Sequence, residues 1–190
     1  SSLIWSLTRA AFLEAGNWFR AHLQDKHRDA RVAINLSPRQ VRRADITHAL
    51  TQLLKEADIP ASWIELEIPE CGIAQDPIQG RRRLNELREA GFALCLDGFT
   101  ATRLSLLHLA ELPFDRIKLD RSLCDGACEE GPVRLICEHL TAVCHSLQIR
   151  LTAYPMESEE QSALFRQMGF DLMQGHEIAP PQSILAFQTG

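Results

Sequence analysis

No stretch of this sequence approaches the ~20 consecutive apolar residues that a membrane-spanning helix requires. Its opening residues, Ser1-Ser2-Leu3-Ile4-Trp5, lack the basic-then-apolar layout of a signal peptide, and a cytoplasmic location is the expectation. Positive charge is not in excess: the net charge of −5 excludes the broad basic surface of a nucleic-acid-binding protein. The densest basic cluster, Arg81-Arg82-Arg83, opens a polar helical stretch and reads as a solvated helix face. No G-x-G-x-x-G occurs, so the glycine-rich first turn of a dinucleotide fold is missing. No low-complexity linker interrupts the 190 residues, which are 45% hydrophobic and 24% charged. One globular domain over residues 1–190 is the expectation.

Six cysteines are present, and their positions argue against disulfides. Cys137 and Cys144 fall in the series Val133, Ile136, Cys137, Leu140, Val143, Cys144, Leu147, the apolar stripe of one helix. Cys95 lies inside the apolar run Phe92–Leu96. These three read as small core residues. Cys124 and Cys128, with His139 and His145 further on, match no zinc-ligand spacing, so reduced thiols are expected.

Along the chain, short apolar runs alternate with helical patterns. Residues 3–25 form an amphipathic helix with Leu3, Ile4, Leu7, Ala11, Phe12, Ala15, Trp18, Phe19 and Leu23 near one face. Six strand-like runs follow: Val32–Leu36, Trp63–Ile68, Phe92–Leu96, Ile117–Leu119, Ile149–Ala153 and Phe170–Met173. Helical periodicity is clearest at 41–57, 78–90, 132–147 and 157–168. Ser37-Pro38 and Asp76-Pro77 mark helix entries, and Gly91 and Gly169 mark helix ends. This alternation predicts βαβ units and a parallel sheet. Polar residues collect at the C-terminal ends of different runs: Asn35, Glu67 and Glu70, Asp97, Lys118 and Asp120, and Gln174. In a barrel those ends converge on one mouth, where active sites are built.

Several motifs in register now carry a resemblance. Ile34-Asn35-Leu36-Ser37-Pro38-Arg39-Gln40 is similar to the N-L-S-x-R-Q segment of EAL-domain cyclic-di-GMP phosphodiesterases, and Glu65–Glu70 to their E-L-E-I-T-E strand. Leu96-Asp97-Gly98-Phe99 with Ser105-Leu106 resembles the D-D-F-G-T-G-Y-S-S-L loop. Leu112–Ser122 resembles L-P-x-D-x-I-K-I-D-R-S, Ala153–Glu157 resembles A-E-G-V-E, and Asp171–Gly175 resembles C-D-x-x-Q-G. The resemblance spans nearly the whole chain. It implies an α/β fold of the EAL-type (β/α) barrel, here incomplete, with about six of eight strands and without the first strands of the barrel.

The resemblance also implies site residues. Asn35, Glu67 and Asp97 take metal-ligand positions, and Lys118 takes the place of the lysine near the attacking water. Gln40, Glu70, Asp120, Glu157 and Gln174 take supporting positions. The family's enzymes activate water between two divalent cations, magnesium or manganese, which need several oxygen ligands. Three acidic positions are changed or missing. No Glu-Ala-Leu occurs, Gly98 stands for the second aspartate, and Tyr154, before Pro155, stands for the glutamate of A-E-G-V-E. Thr100-Ala101-Thr102-Arg103 replaces the Gly-Thr-Gly-Tyr loop. The expectation is a degenerate, non-catalytic signalling domain that binds a protein partner or a second copy of itself. No cofactor, weak or absent cyclic-di-GMP binding, no nucleic acid and no membrane contact are expected. The alternatives are a cyclic-di-GMP receptor without hydrolysis and an active phosphodiesterase using magnesium or manganese.

Overall fold

The structure, a computed structural model, describes residues 2–22 and 30–182. Its elements run α1 (Ser2–His22), β1 (Val32–Asn35), α2 (Pro38–Val41), α3 (Ile46–Ala57), β2 (Ile64–Pro69), α4 (Glu70–Ile73), α5 (Pro77–Glu89) and β3 (Ala93–Phe99). They continue with α6 (Leu106–Glu111), β4 (Arg116–Leu119), α7 (Arg121–Ala127), α8 (Pro132–Ser146), β5 (Arg150–Ala153), α9 (Glu159–Gln167) and β6 (Leu172–Met173). The described residues form two compact units, one ending at Leu94 and the other spanning Cys95–Gln182. All six expected strands are present, each within a few residues of its apolar run.

In the first unit, β1 and β2 pair in parallel from Val32↔Ile64 to Asn35↔Glu67. Every residue of β2 from Ile64 to Ile68 is buried, as a strand covered on both faces requires. Helix α1 buries Thr8, Phe12, Ala15 and Phe19, with the Phe19 ring centroid 4.5 Å from that of Trp63. Two residues expected on the buried face are not there: Leu3 and Leu7 are 68% and 62% exposed. The buried stripe runs one position round, through Thr8, because that hydroxyl finds partners in Ile4 O and Gln40. Residues 23–25 of the expected helix lie outside the described residues.

The expected helix over 41–57 is two helices. Ser37 caps α2 through a reciprocal capping box with Gln40, which starts the helix early; α3 begins only after Asp45. Asp76 caps α5 by accepting from Gln79 N at 3.1 Å, with Pro77 in the first turn. Gly91 and Gly169 follow the ends of α5 and α9, where the sequence places them.

In the second unit, β3 from Cys95 onward, β4, β5 and β6 pair in parallel in chain order. Helix α8 buries Cys137, Leu140, Thr141 and Cys144, whereas Ile136 and Val143, expected on the same stripe, are exposed. The core accepts Thr141 because its hydroxyl donates to Cys137 O at 3.1 Å. The carboxylate of Asp171 lies 3.0 Å from His145 Nε2 and accepts from Leu151 N at 2.7 Å. His145, weighed as a metal ligand from its spacing, thus ties α8 to the entry of β6.

Candidate functional site

In the first unit the expected site residues sit at the C-terminal ends of β1 and β2. Asn35 closes β1 as the register partner of Glu67, and Leu36 N donates to Glu67 O at 2.9 Å. Asn35 is exposed, whereas Glu67 and Glu70, the first residue of α4, are buried. Glu65, two residues upstream of Glu67 and on the same face of β2, is a further buried carboxylate. Sequence reasoning passed over it, although the period-two spacing in Glu65-Leu66-Glu67 is a visible signal. Gln40 lies deeper than a mouth residue would. It is 1% exposed, its amide oxygen caps Ser37 and its amide nitrogen donates to Thr8 Oγ1 at 2.9 Å.

In the second unit, a one-residue bulge shapes the site. The β3–β4 register runs Cys95↔Arg116 and Leu96↔Ile117, then slips by one before Phe99↔Leu119. Asp97 and Gly98 occupy the slip, and Gly98 adopts φ +67°, a left-handed conformation that glycine takes at least cost. The bulge turns Asp97 toward β4, where its Oδ1 lies 3.8 Å from Lys118 Nζ. The Lys118 side chain is only 8% exposed. The Tyr154 ring also stands against the ammonium, centroid to Nζ 4.5 Å. Tyr154 enters sequence reasoning only as a lost glutamate; its contact with Lys118 requires β4 and β5 to be neighbours.

The remaining expected residues also hold structural partners, and Asp120 stays beside the bulge, its Oδ2 4.0 Å from where a Cβ of Gly98 would lie. Asp120 caps α7, accepting from Ser122 N at 2.9 Å and Ser122 Oγ at 2.6 Å. Glu157 pairs with Arg121 at 3.0 Å, and both are more than half exposed. Arg121, a residue not singled out from the sequence, also reaches Asp125 one turn on. Gln174 uses its backbone, donating to Ala153 O at 3.0 Å and accepting from Met156 N at 2.9 Å, while its side chain faces solvent. The Cys124 thiol, on α7, is pushed up to about 12 by burial, against a smaller downward pull from the Tyr154 backbone.

A family model described as EAL domain matches residues 1–181. The chain belongs to the EAL domain family. Among curated relatives, the cyclic di-GMP phosphodiesterase RocR of Pseudomonas aeruginosa is 30% identical over 162 residues, covering 84% of this chain and 41% of RocR. The first relatives matched are longer: the chain spans 18% to 41% of their length. Among solved structures, the c-di-GMP complex of the PaMucR phosphodiesterase matches with TM-score 0.86 and 25% identity, over 95% of this chain and 73% of that one. The calcium/c-di-GMP complex of Klebsiella pneumoniae BlrP1 matches with TM-score 0.78 and 26% identity, over 90% and 42%. The fold is therefore that of EAL domains, as the motifs implied. Among the described residues no helix is long and apolar enough to cross a membrane.

Proposed function

We propose that this chain is a non-hydrolytic EAL signalling domain, acting in bacterial cyclic-di-GMP signalling through contact with another protein molecule. One observation carries the reading. At the Asp97 centre, the two positions that the resemblance assigns to further acids hold Gly98 and Tyr154. Hard divalent cations take oxygen ligands, and two of them side by side repel each other unless several carboxylates surround them. In the second unit Asp97 keeps one neighbouring carboxylate, Asp120, whose Oδ1 already caps α7, but it stands without those two acids and faces an ammonium, a donor set that speaks against a two-cation centre. Magnesium or manganese chemistry is accordingly not part of the proposed function.

Protein contact as the output is supported by apolar side chains on the outer face of α8, Leu135, Ile136 and Val143. The test is incubation of the purified protein with cyclic-di-GMP and either magnesium or manganese, followed by chromatography. No linear dinucleotide is expected. A metal-dependent product that Asp97→Ala abolishes would overturn the reading in favour of a phosphodiesterase.

A further inference from the structure

We propose that the resident cation of the Asp97 centre is the chain's own Lys118 ammonium, and that Tyr154 is the positioning residue that holds it there against divalent ions. The inference rests on the non-hydrolytic reading and names its local cause. Burying an ammonium is costly unless negative charge or π density compensates it. Asp97 supplies charge from 3.8 Å and the face of Tyr154 supplies π density at 4.5 Å. The Lys118 side chain is 8% exposed, so water solvates the ammonium little.

A divalent ion bound to Asp97 would sit within a few ångström of that ammonium, and the two charges would repel. A carboxylate at residue 154 could draw the ion in and satisfy the lysine at the same time. An aromatic face does only the second. It attracts an organic ammonium but offers no anionic oxygen to replace the strongly held water of a hard cation. Gly98 adds no ligand of its own. Tyr154 as a residue remains 41% exposed, so it covers the lysine at the surface and is not itself part of the core.

The test is nuclear magnetic resonance on protein carrying 13C-labelled lysine, of which the chain has three: Lys26, Lys55 and Lys118. The Lys118 ε-methylene protons are expected upfield of those of Lys26 and Lys55, because the ammonium bonded to that carbon lies over the ring. That shift should persist in Tyr154→Phe, which keeps a π face, and vanish in Tyr154→Ala. Manganese chloride added to the wild type should broaden no Lys118 signal selectively. In Tyr154→Glu the same signal should broaden at about tenfold lower manganese. Unshifted Lys118 protons in the wild type overturn the proposal, and that measurement needs no variant to fold. Equal manganese sensitivity in the wild type and Tyr154→Glu overturns it too. Either result leaves the hydrolysis assay to decide the non-hydrolytic reading separately.

Discussion

Gln40 donates its amide to Thr8 Oγ1 at 2.9 Å, joining α2 to α1 across 32 residues of sequence inside the first unit. Its amide oxygen meanwhile accepts from Ser37 N and Oγ, so one side chain both caps a helix and fastens another. Both residues of the bond are buried, and a buried polar group stripped of its partner costs about 1–3 kcal/mol. Gln40→Met, which keeps volume and removes the polar atoms, should therefore lower stability by about 2 kcal/mol. The urea midpoint measures this, and an unchanged midpoint would show that the pair adds nothing.

Two glycines of the second unit should respond very differently to alanine. Gly98 has a left-handed φ of +67°, but a Cβ there meets nothing nearer than Asp120 Oδ2 at 4.0 Å. Gly98→Ala should cost only the backbone penalty, about 1 kcal/mol, and Gly98→Asn less. A Cβ at Gly175 would overlap Met156 O and Met156 N, backbone atoms that themselves pair with Glu177 and Gln174. Gly175→Ala should cost about 3 kcal/mol and expose the Met156 amide to hydrogen exchange. A Gly98→Ala loss larger than that of Gly175→Ala would contradict both placements.

Burial pushes Cys124 up to about 12, and Cys137 and Cys144 up to about 11. An exposed thiol of the unfolded chain ionises near about 8.5. The folded values are the higher ones, so this contribution to stability is complete below about pH 8.5 and is lost as pH climbs toward 11–12. Unfolding free energy should thus fall between pH 9 and pH 11, and replacing Cys137 and Cys144 by alanine should flatten the slope. At pH 8 a thiol reagent should label the half-buried Cys71 and Cys128 before the buried Cys95, Cys124, Cys137 and Cys144. Labelling of Cys137 at the rate of Cys128 would refute the burial argument.

Cyclic-di-GMP should bind weakly or not at all. The centre that would face a doubly charged ligand with bound cations has only Lys118 in its place, already shared between Asp97 and Tyr154. Calorimetric titration with and without magnesium gives the answer. Saturable binding at roughly micromolar concentration, about −8 kcal/mol, would favour a receptor that binds without cleaving.

Much of the fold was legible in the residues themselves. Ser37, Asp76, Gly91 and Gly169 announce their helix ends because capping is local chemistry, settled within four residues. The six apolar runs announce strands, and the motif order announces the family. Short helices were not legible: α4, α6 and α7 have four, six and seven residues, too few for a 3.6-residue period to show.

What lay beyond the sequence is the set of relations that only packing creates. The run 132–147 determines by itself that α8 is amphipathic, yet which stripe turns inward was decided by the sheet, which buries Thr141 and leaves Ile136 and Val143 outside. In the same way the residues by themselves put Gly98 and Tyr154 where the resemblance expects acids. That Tyr154 faces the Lys118 ammonium was decided by the tertiary structure. Those residues lie 36 positions apart, and only the parallel pairing of β4 with β5 places the end of one strand beside the end of the other.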